Sequence, residues 1–87
     1  MYTVSTKSKI IFNISKRIKQ LRIEKGITQE RLAALSGIDY KHIQLLESKK
    51  PPAIKIDTLE KICNGLSIKL CNFFDDEIFL NENNKTS

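Results

Sequence analysis

Tryptophan is absent from this 87-residue chain, and cysteine, proline, glycine and histidine are scarce, at two, two, three and one. Each shortage excludes a class. Cys63 and Cys71 have no companion ligands, so neither a metal site nor a disulfide framework is expected, and each reads as a small, partly buried apolar residue. His42 stands without a nearby serine, cysteine or carboxylate motif, so no catalytic triad is read. The three glycines form no phosphate-binding loop. The two prolines are adjacent, which leaves every other segment free to be helical. No window approaches the roughly 18 apolar residues of a membrane span. Residues Met1 to Lys7 carry no apolar core of a signal peptide, so a cytoplasmic location is expected. The chain is therefore read as not an enzyme, with no cofactor, metal, small-molecule ligand or membrane partner.

What is present is charge and helical periodicity. Up to residue 74 there are 14 Lys and Arg against 6 Asp and Glu, a balance of +8, whereas residues 75–87 hold 1 against 4, a balance of −3. A basic folded part with an acidic end favours a polyanion partner, and nucleic acid before lipid. One domain and one core are all that this length accommodates.

From Lys9 to Lys25, Ile10, Ile11, Ile14, Ile18 and Leu21 recur at helical spacing, with Ile23 off the stripe and Lys16, Arg17, Lys19, Gln20 and Lys25 on the other face. Gly26 ends this helix. Thr28 caps a second one, with Leu32, Ala33 and Leu35 inward, and Ser36-Gly37 closes it. Asp39 is expected to cap a third helix, with Ile43, Leu46 and His42 inward and Tyr40, Lys41, Gln44 and Leu45 outward. Two short helices hinged on Gly37 form a helix-turn-helix, which can present its second helix to a major groove; a plain helical hairpin has similar spacing, so the flanks decide. Ser48 to Ala53, with Pro51-Pro52, is a rigid basic loop. Asp57-Thr-Leu-Glu60 reads as the capping box of a fourth helix with Leu59, Ile62, Cys63 and Leu66 inward. A short last helix covers about Leu70 to Phe74. The expected architecture is all-α, five helices over residues 9–74, preceded by a flexible segment 1–8 and followed by an acidic, partly disordered extension 75–87. The expected core is Ile14, Ile18, Leu21, Ile27, Leu32, Ala33, Leu35, Ile38, Ile43, Leu46, Leu59, Ile62 and Leu66.

From Ile14 to Phe74 the chain resembles the lambda-repressor-like (Xre/Cro) helix-turn-helix family. The likeness runs through Ile18-Lys-Gln-Leu-Arg-Ile-Glu-Lys-Gly-Ile-Thr-Gln-Glu-Arg-Leu-Ala-Ala-Leu-Ser-Gly-Ile38, then Ile43-Gln-Leu-Leu-Glu47, Leu59-Glu-Lys-Ile-Cys-Asn-Gly-Leu66 and Phe73-Phe74. The resemblance implies a compact five-helix DNA-binding domain. It implies that Gln29, at the start of the second helix, bonds a DNA phosphate, which suits the positive end of a helix. It implies base reading by Lys41, Gln44 and Leu45, with Tyr40 at the interface, and a structural pair between Arg22 and Glu47. Lys49, Lys50 and Lys55 are candidates for phosphate contact beside a solvated-loop alternative, and Arg17 for phosphate beside an ordinary exposed-face alternative. Pro51-Pro52, Lys69 before the last helix, and the tail depart from the family pattern.

A single helix-turn-helix reads few base pairs, so a two-fold homodimer on a pseudo-palindrome in double-stranded DNA is expected. Leu70, Phe73, Phe74, Ile78 and Phe79 are its candidate interface; closure of the core by Leu70 and Phe73 is the alternative for those two. Such a small chain is most like restriction-modification controller proteins or phage repressors. A second hypothesis is an antitoxin-type interaction module whose tail folds on a partner protein, with DNA binding secondary.

Overall fold

The apolar stripe of the first segment does wind into a helix, α1 (Lys9–Glu24), which turns Ile14, Ser15, Arg17, Ile18 and Leu21 inward. The structure, a computed structural model, describes residues 9–80. Gly26 ends α1 at φ 69°, and Ile27 N–H bonds back to the Arg22 carbonyl at 3.2 Å, the six-residue closure that a left-handed glycine permits. After this turn comes α2 (Gln29–Ser36), capped by Thr28 Oγ1, which accepts from Arg31 N at 3.0 Å. Gly37, at φ 70°, repeats the same device, with Ile38 N–H bonded to the Ala33 carbonyl at 3.1 Å. The hinge leads directly into α3 (Tyr40–Leu46).

Two helix starts differ from the sequence expectation. Asp39 precedes α3 but its side chain makes no capping bond; only its carbonyl is engaged, by His42 N at 3.0 Å and Ile43 N at 3.2 Å. The next helix, α4 (Ile56–Gly65), begins before Asp57, so Asp57 lies inside the first turn and complements the helix dipole rather than capping it. Lys55 precedes α4 without a side-chain cap, and Lys69 does the same for α5 (Leu70–Phe73). Residues 77–80 form a further helical turn, so the described chain is helical and strand-free.

α2 packs against both α3 and α4. Ile18, Leu32, Ile43, Leu59, Ile62, Cys63, Leu66 and Phe73 are fully buried between them. Gly65 is the point of closest approach: a Cβ there would overlap the Ser36 hydroxyl and lie 3.1 Å from the Ser36 backbone nitrogen. The left-handed residue that follows α4 is instead Ser67, at φ 57°. Among the expected core residues Leu35 is an exception, 45% exposed, because Ser36 takes the inward place at the end of α2. Ile27 and Ile38 are half-buried at the edge of the core, and Cys71, unlike Cys63, is exposed.

Candidate nucleic-acid interface

Tyr40, Lys41, Gln44 and Leu45 fall at i, i+1, i+4 and i+5 of α3, which places them on one face of that helix, and all four are exposed. Ile43 and Leu46, on the opposite face, are buried, so the packing of α3 against the core decides which side chains point outward. His42 is half-buried between the two faces. Gln44 Nε2 donates to Tyr40 Oη at 3.3 Å, so this surface carries a linked hydroxyl and amide beside an ammonium and an isobutyl group. Such a set offers hydrogen bonds and one apolar contact to the edges of base pairs.

The pitch of α3 is held from its C-terminal end. Arg22 Nε donates to Glu47 Oε2 at 2.7 Å and Arg22 Nη2 to Glu47 Oε1 at 3.0 Å, while Arg22 Nη1 donates to the Ile27 carbonyl at 2.8 Å. The Glu47 side chain is 2% exposed and that of Arg22 13%. A fork on a carboxylate in this setting is directional, because both oxygens must lie in the guanidinium plane. Gln29 Nε2 adds a third bond, to Glu47 Oε1 at 3.0 Å. One carboxylate thus joins α1, the first residue of α2 and the end of α3. Gln29 is half-buried at the α2 start, and Lys49, Lys50 and Lys55 are exposed along the loop from α3 to α4.

Arg17 lies elsewhere. It is 7% exposed, so a phosphate contact is ruled out by burial. Its Nε donates to the Phe73 carbonyl at 2.7 Å and its Nη2 to the Asn72 carbonyl at 2.9 Å; Nη1 reaches Gln20 Oε1 and Asp76 Oδ1, each at 3.2 Å. The guanidinium therefore satisfies the Phe73 carbonyl, which the end of α5 leaves without a helical partner, and adds a bond to the Asn72 carbonyl, which also accepts from Asp75 N at 3.2 Å. Phe73 is also corrected: with no exposed surface it belongs to the core rather than to an interface. Leu70, Phe74 and Phe79 are half-buried against that core, Ile78 is half-buried, and Leu80 is 52% exposed. Phe74 stands edge-on to Phe73 at 5.1 Å and 5.0 Å from Phe79. Asn13 and Asp76, which the sequence reading did not single out, hold this end together: Asn13 Nδ2 donates to the Ile78 carbonyl at 3.2 Å, and Ile78 N donates to Asp76 Oδ2 at 3.0 Å.

No described helix is long and apolar enough to cross a membrane. Burial pushes the Cys63 thiol up to about 11, with the Arg17 charge opposing the shift and Glu60 adding to it, so this thiol is inert at neutral pH.

Residues 17–77 match the Cro/C1-type HTH DNA-binding domain. Over 62 residues the chain is 36% identical to the HTH-type transcriptional regulator PuuR of Escherichia coli (strain K12), and equally to PuuR of Shigella flexneri. That stretch is 70% of this chain and 32% of those proteins, so the chain spans about a third of the length of the curated regulators it matches. Among solved structures, the wild-type restriction-modification controller protein C.Esp1396I is 36% identical with a TM-score of 0.76, over 87% of this chain and 94% of that one. The same protein bound to a 19 base pair DNA duplex gives a TM-score of 0.75 at 36% identity, over 86% and 96%. As a tetramer on its natural 35 base-pair operator it gives 0.76 at 36% identity, over 87% and 96%. The chain belongs to the Cro/C1-type helix-turn-helix DNA-binding domain family.

Proposed function

We propose that the chain is a sequence-specific transcription regulator of the restriction-modification controller type, which binds a pseudo-palindromic operator as a homodimer. The observation that carries this reading is the outward face of α3, where Tyr40, Lys41, Gln44 and Leu45 are exposed on a helix braced through Glu47. Lys41 donates to guanine O6 and N7, Gln44 pairs with adenine, and Leu45 packs on a thymine methyl. Tyr40 lies at the interface beside Gln44. The second amide hydrogen of Gln29, together with the free N–H groups at the α2 start, bonds a backbone phosphate. Lys49, Lys50 and Lys55 add charge along the same backbone, so affinity falls with salt.

The pairing reading rests on apolar surface at the C-terminal end. Leu70, Phe74, Ile78 and Phe79 keep part of their surface outside the core, and Leu80 is 52% exposed beside them. A second copy seated there covers that surface and gives the two recognition helices a two-fold relation. The solved relatives on operators of 25 and 35 base pairs are in keeping with this reading. Residues 75–80 already pack on α1 and α5, which favours a regulator over an antitoxin-type module needing that segment free for another protein.

Sedimentation of the full chain with a duplex carrying its preferred site tests the reading. Two copies per duplex, with binding lost on an unrelated sequence, are the expected result. One copy per duplex, or indifference to sequence, rejects it.

A further inference from the structure

Two arginines leave α1 five residues apart, and each grips a different functional part of the molecule. Arg22 holds Glu47 and so fixes the recognition helix. Arg17 holds the Asn72 and Phe73 carbonyls and the Asp76 carboxylate, and so fixes the strap of residues 75–80. Asp76 is shared: Oδ1 takes Arg17, while Oδ2 takes the amide of Ile78 at the start of the helical turn 77–80. The strap is held further by Asn13 Nδ2, again from α1, and by Phe79 packed on Phe74.

We infer that Arg17 and Asp76 are positioning residues that set the distance between the two DNA half-sites the protein reads. The inference rests on the homodimer reading and deepens it. In a two-fold pair, the separation of the recognition helices is fixed by a chain of links from α3 through Glu47, Arg22, α1 and Arg17 to the strap at the axis. Apolar packing of Phe79 and Leu80 supplies attraction without direction. The Arg17 fork and the Asp76 bridge supply direction, because each of their hydrogen bonds holds only near its own geometry. Both arginines bear on one 16-residue helix, so the strap and the recognition helix share a rigid frame. Loosening the Arg17 end leaves the apolar contacts in place and blurs the angle at which a second copy sits. The half-site contacts stay as they were, and tolerance of altered spacing rises.

The test uses the full chain and duplexes that carry the selected half-sites with one or two base pairs inserted or removed at the centre. A duplex with a single half-site serves as the control, and affinity is read by fluorescence anisotropy. For the wild type we expect about a tenfold loss of affinity per base pair of altered spacing. Asp76→Asn keeps the cap on Ile78 and removes the charge facing Arg17; Arg17→Lys keeps charge and loses the fork. Both variants should lower the spacing penalty to about threefold while half-site affinity stays within about twofold of wild type. Loss of stability alone would not change the ratio between spacings. Folded variants that retain the full wild-type penalty overturn the inference. If Arg17→Lys does not fold, Asp76→Asn decides, since it leaves both carbonyl bonds intact. A wild type indifferent to spacing refutes the homodimer reading itself, and the inference with it.

Discussion

Glu47 receives Arg22 through both of its oxygens, at 2.7 and 3.0 Å, from a side chain that is 2% exposed. This pair ties the end of α3 to α1. Removing Arg22 leaves a nearly buried carboxylate facing only the Gln29 amide. Arg22→Met should therefore cost about 3 to 5 kcal/mol of folding stability, read by urea denaturation. A loss below about 1 kcal/mol would mean that the pair is solvated and decorative.

We propose base reading by Lys41 and Gln44, and phosphate contact by Gln29. Lys41→Ala or Gln44→Ala should relax preference at one position of each half-site by about 1 to 3 kcal/mol. Gln29→Ala should weaken all sequences about equally, and any loss of selectivity from it would move Gln29 out of the phosphate role. Competition binding against single-base variants of the site separates the two patterns.

Ser36 meets Gly65 where α2 crosses α4, and its buried hydroxyl has no hydrogen-bond partner among the described residues. Gly65→Ala should destabilise by about 1 to 3 kcal/mol, since the added Cβ presses on the backbone of Ser36 as well as on its hydroxyl. Ser36→Ala removes an unsatisfied polar group and should be neutral or stabilising by up to about 1 kcal/mol. In the double variant the Gly65→Ala penalty should be smaller. A penalty equal to that of the single substitution would show that the backbone contact alone sets it.

Cys63 and Cys71 should behave oppositely. A thiol reagent should modify exposed Cys71 at once and reach Cys63 only as the chain unfolds. Because burial raises the folded Cys63 pKa from 9.0 to about 11, both states hold the proton below pH 9, and between these values only the unfolded state releases it. Stability should then fall with rising pH in that window, on the order of 1 to 2 kcal/mol, relative to Cys63→Ala. Equal slopes for the two proteins would contradict the burial-raised pKa.

Local signals carried much of this fold. Gly26 and Gly37 end their helices at positive φ, and Thr28 caps α2, all within a few residues of where the chain turns. The outward face of α3 was legible because Ile43 and Leu46 mark the opposite face. Arg17 shows what was not legible. It shares the inward stripe of Ile14, Ile18 and Leu21, a spacing that could have flagged it, yet all its partners but Gln20 lie 55 to 59 residues further along the chain. Its charge alone suggested solvent or phosphate; the carbonyls at the end of α5 and the Asp76 carboxylate explain its burial. The strap 75–80 was hidden for the same reason, since Asn13 and Ile78 meet across 65 residues. At α4 the Asp57 pattern fitted a cap locally, whereas the helix starts earlier, at Ile56. The expected flexible segment 1–8 and residues 81–87 of the tail lie outside the described residues.

The central claim is that the exposed face of α3 enters the major groove twice, once from each member of a pair. Selection of bound duplexes from a random pool by the full chain tests it most directly. The account predicts an enriched site with two inverted half-sites whose centres lie about one helical turn, roughly 34 Å, apart, and loss of that enrichment with Lys41→Ala and Gln44→Ala combined. A single asymmetric motif, or enrichment unchanged by those substitutions, would contradict it.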